Sequence, residues 1–277
     1  MTEAAGTEAA GTIVVCLGYR GTDFAGFAEQ PGQRSVAGEL RRALETALRR
    51  PVELECAGRT DAGVHAQAQY VSFSADTDEL QRQGRRLKAS LVALTPDDIS
   101  IAGLYQAPAG FSARFDAIER HYRYRISVGN ARPVLSWGHA WWLRSARTLN
   151  VEQMNNAATA LLGEHDFRSF CKASSVALLD EAGRSTSRCV TKLEVSQLEE
   201  AGEQLVVVDV AGNAFLHNMV RIITGSLVEV GRGHREPDWL AEALQARNRT
   251  AAGPTAPAEG LCFAAVRYPQ AALKPWD

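Results

Sequence analysis

The sequence predicts an α+β protein of two similar halves, each an antiparallel sheet backed by helices. Three observations carry this. Strand-like and helix-like stretches follow the order β-α-β-β-α-β over the first half, and helix and strand signals resume after residue 150. The 277 residues, 45% hydrophobic and 22% charged, suffice for one large domain or two ordinary ones.

Residues 1–11 form an expected disordered tail. Thr12 to Tyr19 (TIVVCLGY) is a β-branched strand. Residues 33–50 switch to helical spacing, with Val36, Leu40, Leu44 and Leu48 on one stripe, and Pro51 closes the segment. Val52 to Cys56 and Gln69 to Phe73 are strands on either side of a glycine-containing loop. A helix over Asp78 to Leu94 aligns Leu80, Leu87, Leu91 and Leu94, and a strand from Ile99 to Tyr105 follows the Thr95-Pro96-Asp97 turn. This order is the split βαβ, ferredoxin-like (RRM-like) pattern. The first half spans 12–128 and ends with the strand His121 to Val128; 129–149 reads as a crossover linker. In the second half, 150–277, helix Val151 to Leu162 precedes strands Ser187 to Val195 and Gln204 to Ala211. Helices Leu216 to Val230 and Asp238 to Arg247 and a final strand Leu261 to Tyr268 complete it. Gly163 to Asp166, 171–185 and 248–259 read as loops, and a cleft between the halves is where a site is expected.

Five cysteines, odd in number and far apart, argue against a disulfide framework and a zinc site. No signal-like start is visible and no apolar run approaches the ~18 residues of a membrane span. A soluble, cytoplasmic setting without metal is expected. The net charge of -2 hides a bias, since only four of 30 basic residues are lysine. Arginine suits phosphates and base edges, although a GC-rich genome produces the same bias. Arg42 and Arg49 on the first helix, and Arg82, Arg85 and Arg86 on the second, lie opposite the apolar stripes. Such faces serve either solvation or an RNA track.

Three segments can carry chemistry. In Gly58-Arg59-Thr60-Asp61-Ala62-Gly63-Val64-His65, two glycines permit tight turns around a carboxylate, and Arg59 and His65 flank it. An Asx-type turn in which Asp61 bonds its own backbone would use the same spacing. The helix Phe215 to Val230 is apolar save for Arg221 and Glu229, and Arg221 points off the stripe beside His217 and Asn218. A partly buried guanidinium calls for a carboxylate: Asp61 if the site is an inter-domain cleft, Glu229 if the pair is structural. The strand His121 to Ile126 alternates, placing Tyr122, Tyr124 and Ile126 on one face and His121, Arg123 and Arg125 on the other. The tyrosines either stack on bases or simply fill the buried face. Walker, G-x-S-x-G, H-E-x-x-H and G-x-G-x-x-G patterns are missing.

The run GRTDAGVH (Gly58 to His65), Phe111-Ser112-Ala113-Arg114, RHYRYR (Arg120 to Arg125), Asn213-Ala214-Phe215 with Met219-Val220-Arg221, and Ala258-Glu259-Gly260-Leu261 resemble, in this order, TruA-type tRNA pseudouridine synthases. The resemblance extends from about Thr12 to Pro269. It implies conversion of uridine to pseudouridine at tRNA positions 38, 39 and 40 in the anticodon stem-loop, by a homodimer without cofactor or metal. It also implies a catalytic role for Asp61, pairing of Arg221 with it, stacking of Tyr122 on the target base, and a part for Arg59 in displacing the nucleotide. His65, Arg114 and Leu261 are implied on the substrate side. Phe27 and Ala28 stand where a Trp-Gln pair is typical, and the loop after Phe170 is longer than usual. A different class, a non-catalytic RNA-binding or chaperone protein, would use the same arginine faces and strand aromatics.

Overall fold

The computed structural model describes residues 10–81, 84–144 and 148–276 of a mixed α+β chain. Residues 1–9 of the expected tail, Arg82 on the second basic face, and 145–147 of the expected linker lie outside the described residues. The chain divides into two compact units, one reaching Ile118 and taking in Ala264 onward, the other Glu119–Phe263. Residues 119–128 therefore fall in the second unit and 264–276 in the first.

The first unit runs β1 (Gly11–Tyr19), α1 (Val36–Leu48), β2 (Glu55–Cys56), β3 (His65–Ala75), α2 (Thr77–Gln81), α3 (Gly84–Leu94) and β4 (Ile99–Ala107). Its strands stand β4-β1-β3-β2, every neighbouring pair antiparallel, which is the split βαβ order that the sequence predicts. As the central strand, β1 is buried along nearly its whole length. Ser35 caps α1 by accepting from the Gly38 N–H, and Val36, Leu40 and Leu44 turn inward. Three arginines around this helix are matched by acids: Arg41 pairs with Glu29, Arg42 with Glu39, and Arg50 with Glu79. Arg49, the other arginine of the expected basic face, is exposed.

The second unit runs β5 (Glu119–Val128), β6 (Trp141–Leu143), α4 (Val151–Ala158), β7 (Gly163–Asp166), α5 (Ala173–Glu181), β8 (Ser187–Glu200), β9 (Glu203–Gly212), α6 (Met219–Gly231) and α7 (Trp239–Ala246). Strands β5-β9-β8-β7 are antiparallel neighbours, and β6 adds in parallel to β5. The core gathers Tyr124, Ile126, Met154, Leu161, Val208 and Ile223. The chain ends with β10 (Leu261–Arg267) and β11 (Lys274–Pro275), the latter antiparallel to β4. Beside it the Trp276 N–H donates to the Leu104 carbonyl, and its ring lies against Gly84.

Three segments expected as loop or linker carry structure instead. β7 forms because Gly163–Asp166 pairs with Ser187–Val190; an edge strand with polar side chains has no apolar period to betray it. α5 buries none of its side chains fully. It is tethered by a two-point Arg168–Asp180 ion pair and by His217, whose carbonyl accepts the Lys172 N–H. β6 is three residues long and arises from its pairing with Ile126–Val128.

Candidate active site

In the first unit, the Asp61 loop joins β2 to β3 and is fixed mainly through its backbone. Asp61 to Val64 is a β-turn closed by the Val64 N–H donating to the Asp61 carbonyl at 3.1 Å. Gly63 supplies the positive φ of 78° that the third position of a type II turn demands. The main-chain carbonyl of Asp61 closes this turn. One residue earlier, the Thr60 carbonyl accepts from the Phe27 N–H, and Thr60 Oγ1 lies 2.7 Å from Tyr19 Oη. Gly26 backs onto the loop at φ 114°, and a Cβ there would stand 3.0 Å from the Thr60 carbonyl oxygen. Upstream, the fully buried Gln69 donates from Nε2 to the Gly58 carbonyl and accepts the Tyr70 N–H at Oε1.

Asp61 itself is half-buried and Arg59 is exposed. His65 is buried, and its Nδ1 accepts from the Gly21 N–H at 3.1 Å, which leaves the ring proton on Nε2. Gly21 is obligatory, because a Cβ there would fall 2.0 Å from the Val64 carbonyl oxygen. Arg114 is exposed, its guanidinium 5.2 Å from the Phe115 ring centroid. Burial pushes the Cys56 thiol up to about 11 while Arg59 and Arg114 pull it down, so both cations are within electrostatic reach of one point.

In the second unit, Arg221 sits in the first turn of α6 and is half-buried. Its Nε donates to the Ala256 carbonyl at 2.8 Å, and the Ala256 N–H donates back to the Arg221 carbonyl at 3.0 Å. Nη1 donates to Asn218 Oδ1 at 3.1 Å; Asn218 takes a left-handed φ of 64° as it opens the helix. Glu229, the structural partner considered for Arg221, instead meets His234 and Arg232. The loop before β10 lies on this helix: a Cβ at Gly225 would stand 1.9 Å from the Pro254 carbonyl oxygen, and the Gly253 N–H donates to Ser226 Oγ.

The alternation read in β5 holds, but its two tyrosines differ. Tyr124 is fully buried and donates to the Pro257 carbonyl at 2.7 Å. Burial drives its phenol upward, Glu259 adds to the shift and Arg221 opposes it. Tyr122 is half-buried and caged edge-on between Phe215 and Phe263, with ring centroids 5.1 and 4.8 Å away. Leu261 is buried at the start of β10. Among the described residues no group of three or more His, Cys, Asp and Glu side chains is placed to hold a metal ion, and no helix is long and apolar enough to cross a membrane.

Sequence reasoning places Asn218 beside Arg221 but gives no part to the Tyr19 and Thr60 hydroxyls, Gln69 or the Ala256 peptide. Gly225 was the available signal for the last, since an isolated glycine in an apolar helix marks close backbone approach.

Residues 157–269 match the family model described as tRNA pseudouridine synthase. The chain is 42% identical over 257 residues to the tRNA pseudouridine synthase A of Geobacter sulfurreducens, covering 93% of this chain and 99% of that protein. It is 42% identical over 264 residues to that of Chloroflexus aurantiacus, covering 95% and 91%. With that of Xanthomonas oryzae it shares 41% over 253 residues, covering 91% and 93%.

Proposed function

The chain belongs to the tRNA pseudouridine synthase A family, and from that premise we propose that it isomerises uridine at positions 38, 39 and 40 of the tRNA anticodon stem-loop, with Asp61 as its catalytic carboxylate. The observation carrying this is the full-length identity to synthases, combined with an aspartate turn held through both its side-chain and main-chain neighbours.

The reaction breaks N1–C1′, turns the uracil while it stays bound, and joins C1′ to C5. N1 gains a proton and C5 loses one, so electrons balance without a redox cofactor. A carboxylate begins this by attacking the base or sugar, or by removing a sugar proton; each route uses Asp61 ionised, with Arg221 as its counter-ion. The Ala256 carbonyl and Asn218 take two of the Arg221 N–H groups and orient the guanidinium plane. Tyr122, locked by Phe215 and Phe263, offers a preset surface for stacking the freed uracil. Leaving the stack costs the RNA a few kcal/mol, and the exposed Arg59 and Arg114 suit the phosphates of the displaced nucleotide. His65 and Leu261, being buried, fit a supporting place behind these contacts. A ferredoxin-like build of both halves belongs to the same proposal, supported by the split βαβ order of the first unit.

Asp61→Asn abolishes tritium release from 5-tritiated uridine in tRNA while tRNA binding stays measurable; retained release overturns the assignment. A cytoplasmic homodimer is part of the proposal. Its support is an exposed apolar cluster, Val134, Leu135 and Trp137 at 78, 68 and 53% exposure. Light scattering on Leu135→Asp is expected to show a monomer.

A further inference from the structure

The reaction uses no hydroxyl behind the Asp61 loop, yet two meet there. Tyr19, the last residue of β1, and Thr60, the residue before Asp61, are 5 and 7% exposed, and their oxygens lie 2.7 Å apart across 41 residues of chain. Both are too deep to touch a nucleotide first. Thr60 is held three ways: its hydroxyl by Tyr19, its carbonyl by the Phe27 N–H, and its peptide face by Gly26. A threonine hydroxyl in a turn otherwise bonds nearby backbone and draws the chain into a different local geometry. The Tyr19 phenol occupies that hydroxyl. Phe27, standing where the family pattern has tryptophan, packs its ring 6.3 Å from that of Tyr19 and belongs to the same brace.

We propose that Tyr19 and Thr60 are positioning residues, whose shared hydrogen bond sets the direction in which the Asp61 carboxylate leaves its turn. The inference rests on Asp61 being the catalytic carboxylate. Tyr19 is the better anchor because β1 is an inner strand, bonded on both edges by β3 and β4. A phenol on such a strand moves little, and misplacing a reacting group by about 1 Å is enough to cost roughly a hundredfold in rate.

The test compares Tyr19→Phe, Thr60→Val, Thr60→Ser, the Tyr19→Phe/Thr60→Val double variant and Asp61→Asn, assayed on full tRNA as kcat per folded enzyme, with KM. The first two variants are expected to lower kcat roughly tenfold to a hundredfold with KM within about twofold. Thr60→Ser restores the hydroxyl and kcat, and the double variant is no slower than the slower single one, because both remove the same bond. A merely structural bond predicts the reverse: lower melting temperatures with kcat per folded enzyme unchanged. That result, a rise in KM alone, or a Thr60→Ser as slow as Thr60→Val overturns the proposal. If Tyr19→Phe does not fold, the Thr60→Ser and Thr60→Val pair decides. An active Asp61→Asn instead overturns the underlying catalytic assignment.

Discussion

The Asp61 turn and the Arg221 helix both hold a charged side chain still, by opposite means. The turn buries Val64, with Thr60 and His65 on either side, and is fastened chiefly by directional contacts to Tyr19, Gly21, Gly26, Phe27 and Gln69. The helix is fastened by volume: eleven of its thirteen residues are buried, and Ala256 and Asn218 accept from the Arg221 guanidinium. Directional contacts fail one at a time and shift a geometry. Packed volume fails together and lowers stability.

The largest expected effects come from the two glycines where a Cβ would fall nearest to neighbouring backbone. Gly225→Ala forces the Pro254 loop off α6 and is expected to cost about 3 kcal/mol of stability, seen in thermal melting, with the folded fraction still turning over. Gly21→Ala pushes on Val64 at a similar distance, so it is expected to cost stability and also to lower kcat of the folded fraction. Equal behaviour of the two breaks the contrast. Next in size, Arg221→Lys keeps the charge but loses the planar fork; kcat is expected to fall about tenfold with tRNA affinity nearly unchanged. An unaltered kcat would show that the plane of the guanidinium is irrelevant.

The smallest effect concerns a third kind of anchoring, by a carboxylate alone. Glu203 accepts the N–H groups of Val134, Leu135 and Ser136. Contacts with Ser136 first, then with Leu135 and Val134, hold its carboxyl down at about 2 against an ordinary 4.5. A depressed acid contributes stability above its unfolded value and loses it as pH falls through the folded one. The clamp should therefore be intact above pH 4.5 and disappear toward pH 2. The carbon-13 carboxyl resonance of Glu203, followed by acid titration, checks this, and Glu203→Gln should accelerate amide exchange in 134–136 at pH 6.

How much of this was legible in the sequence depended on whether an element announces itself locally. The α6 stripe and the β5 alternation are periodic, so Arg221 and Tyr122 could be placed from spacing. β6 and β7 exist only through pairing partners, Ile126–Val128 and Ser187–Val190, and such pairing leaves no local mark. α5, which buries no side chain, has no stripe to read. At the site, Asp61 stood out by its glycines, but Tyr19 did not: nothing in a β-branched strand tells which phenol will find a threonine 41 residues on.

The far end of the chain offers a spectroscopic handle. Trp137, Trp141, Trp142 and Trp239 all fall within Glu119–Phe263, whereas Trp276 is the one indole of the other unit. Its placement against Gly84, at the first turn of α3, ties its emission to the integrity of that helix and of β4. With the other four changed to phenylalanine, a single fluorophore would report the melting of the aspartate-bearing unit by colour and intensity.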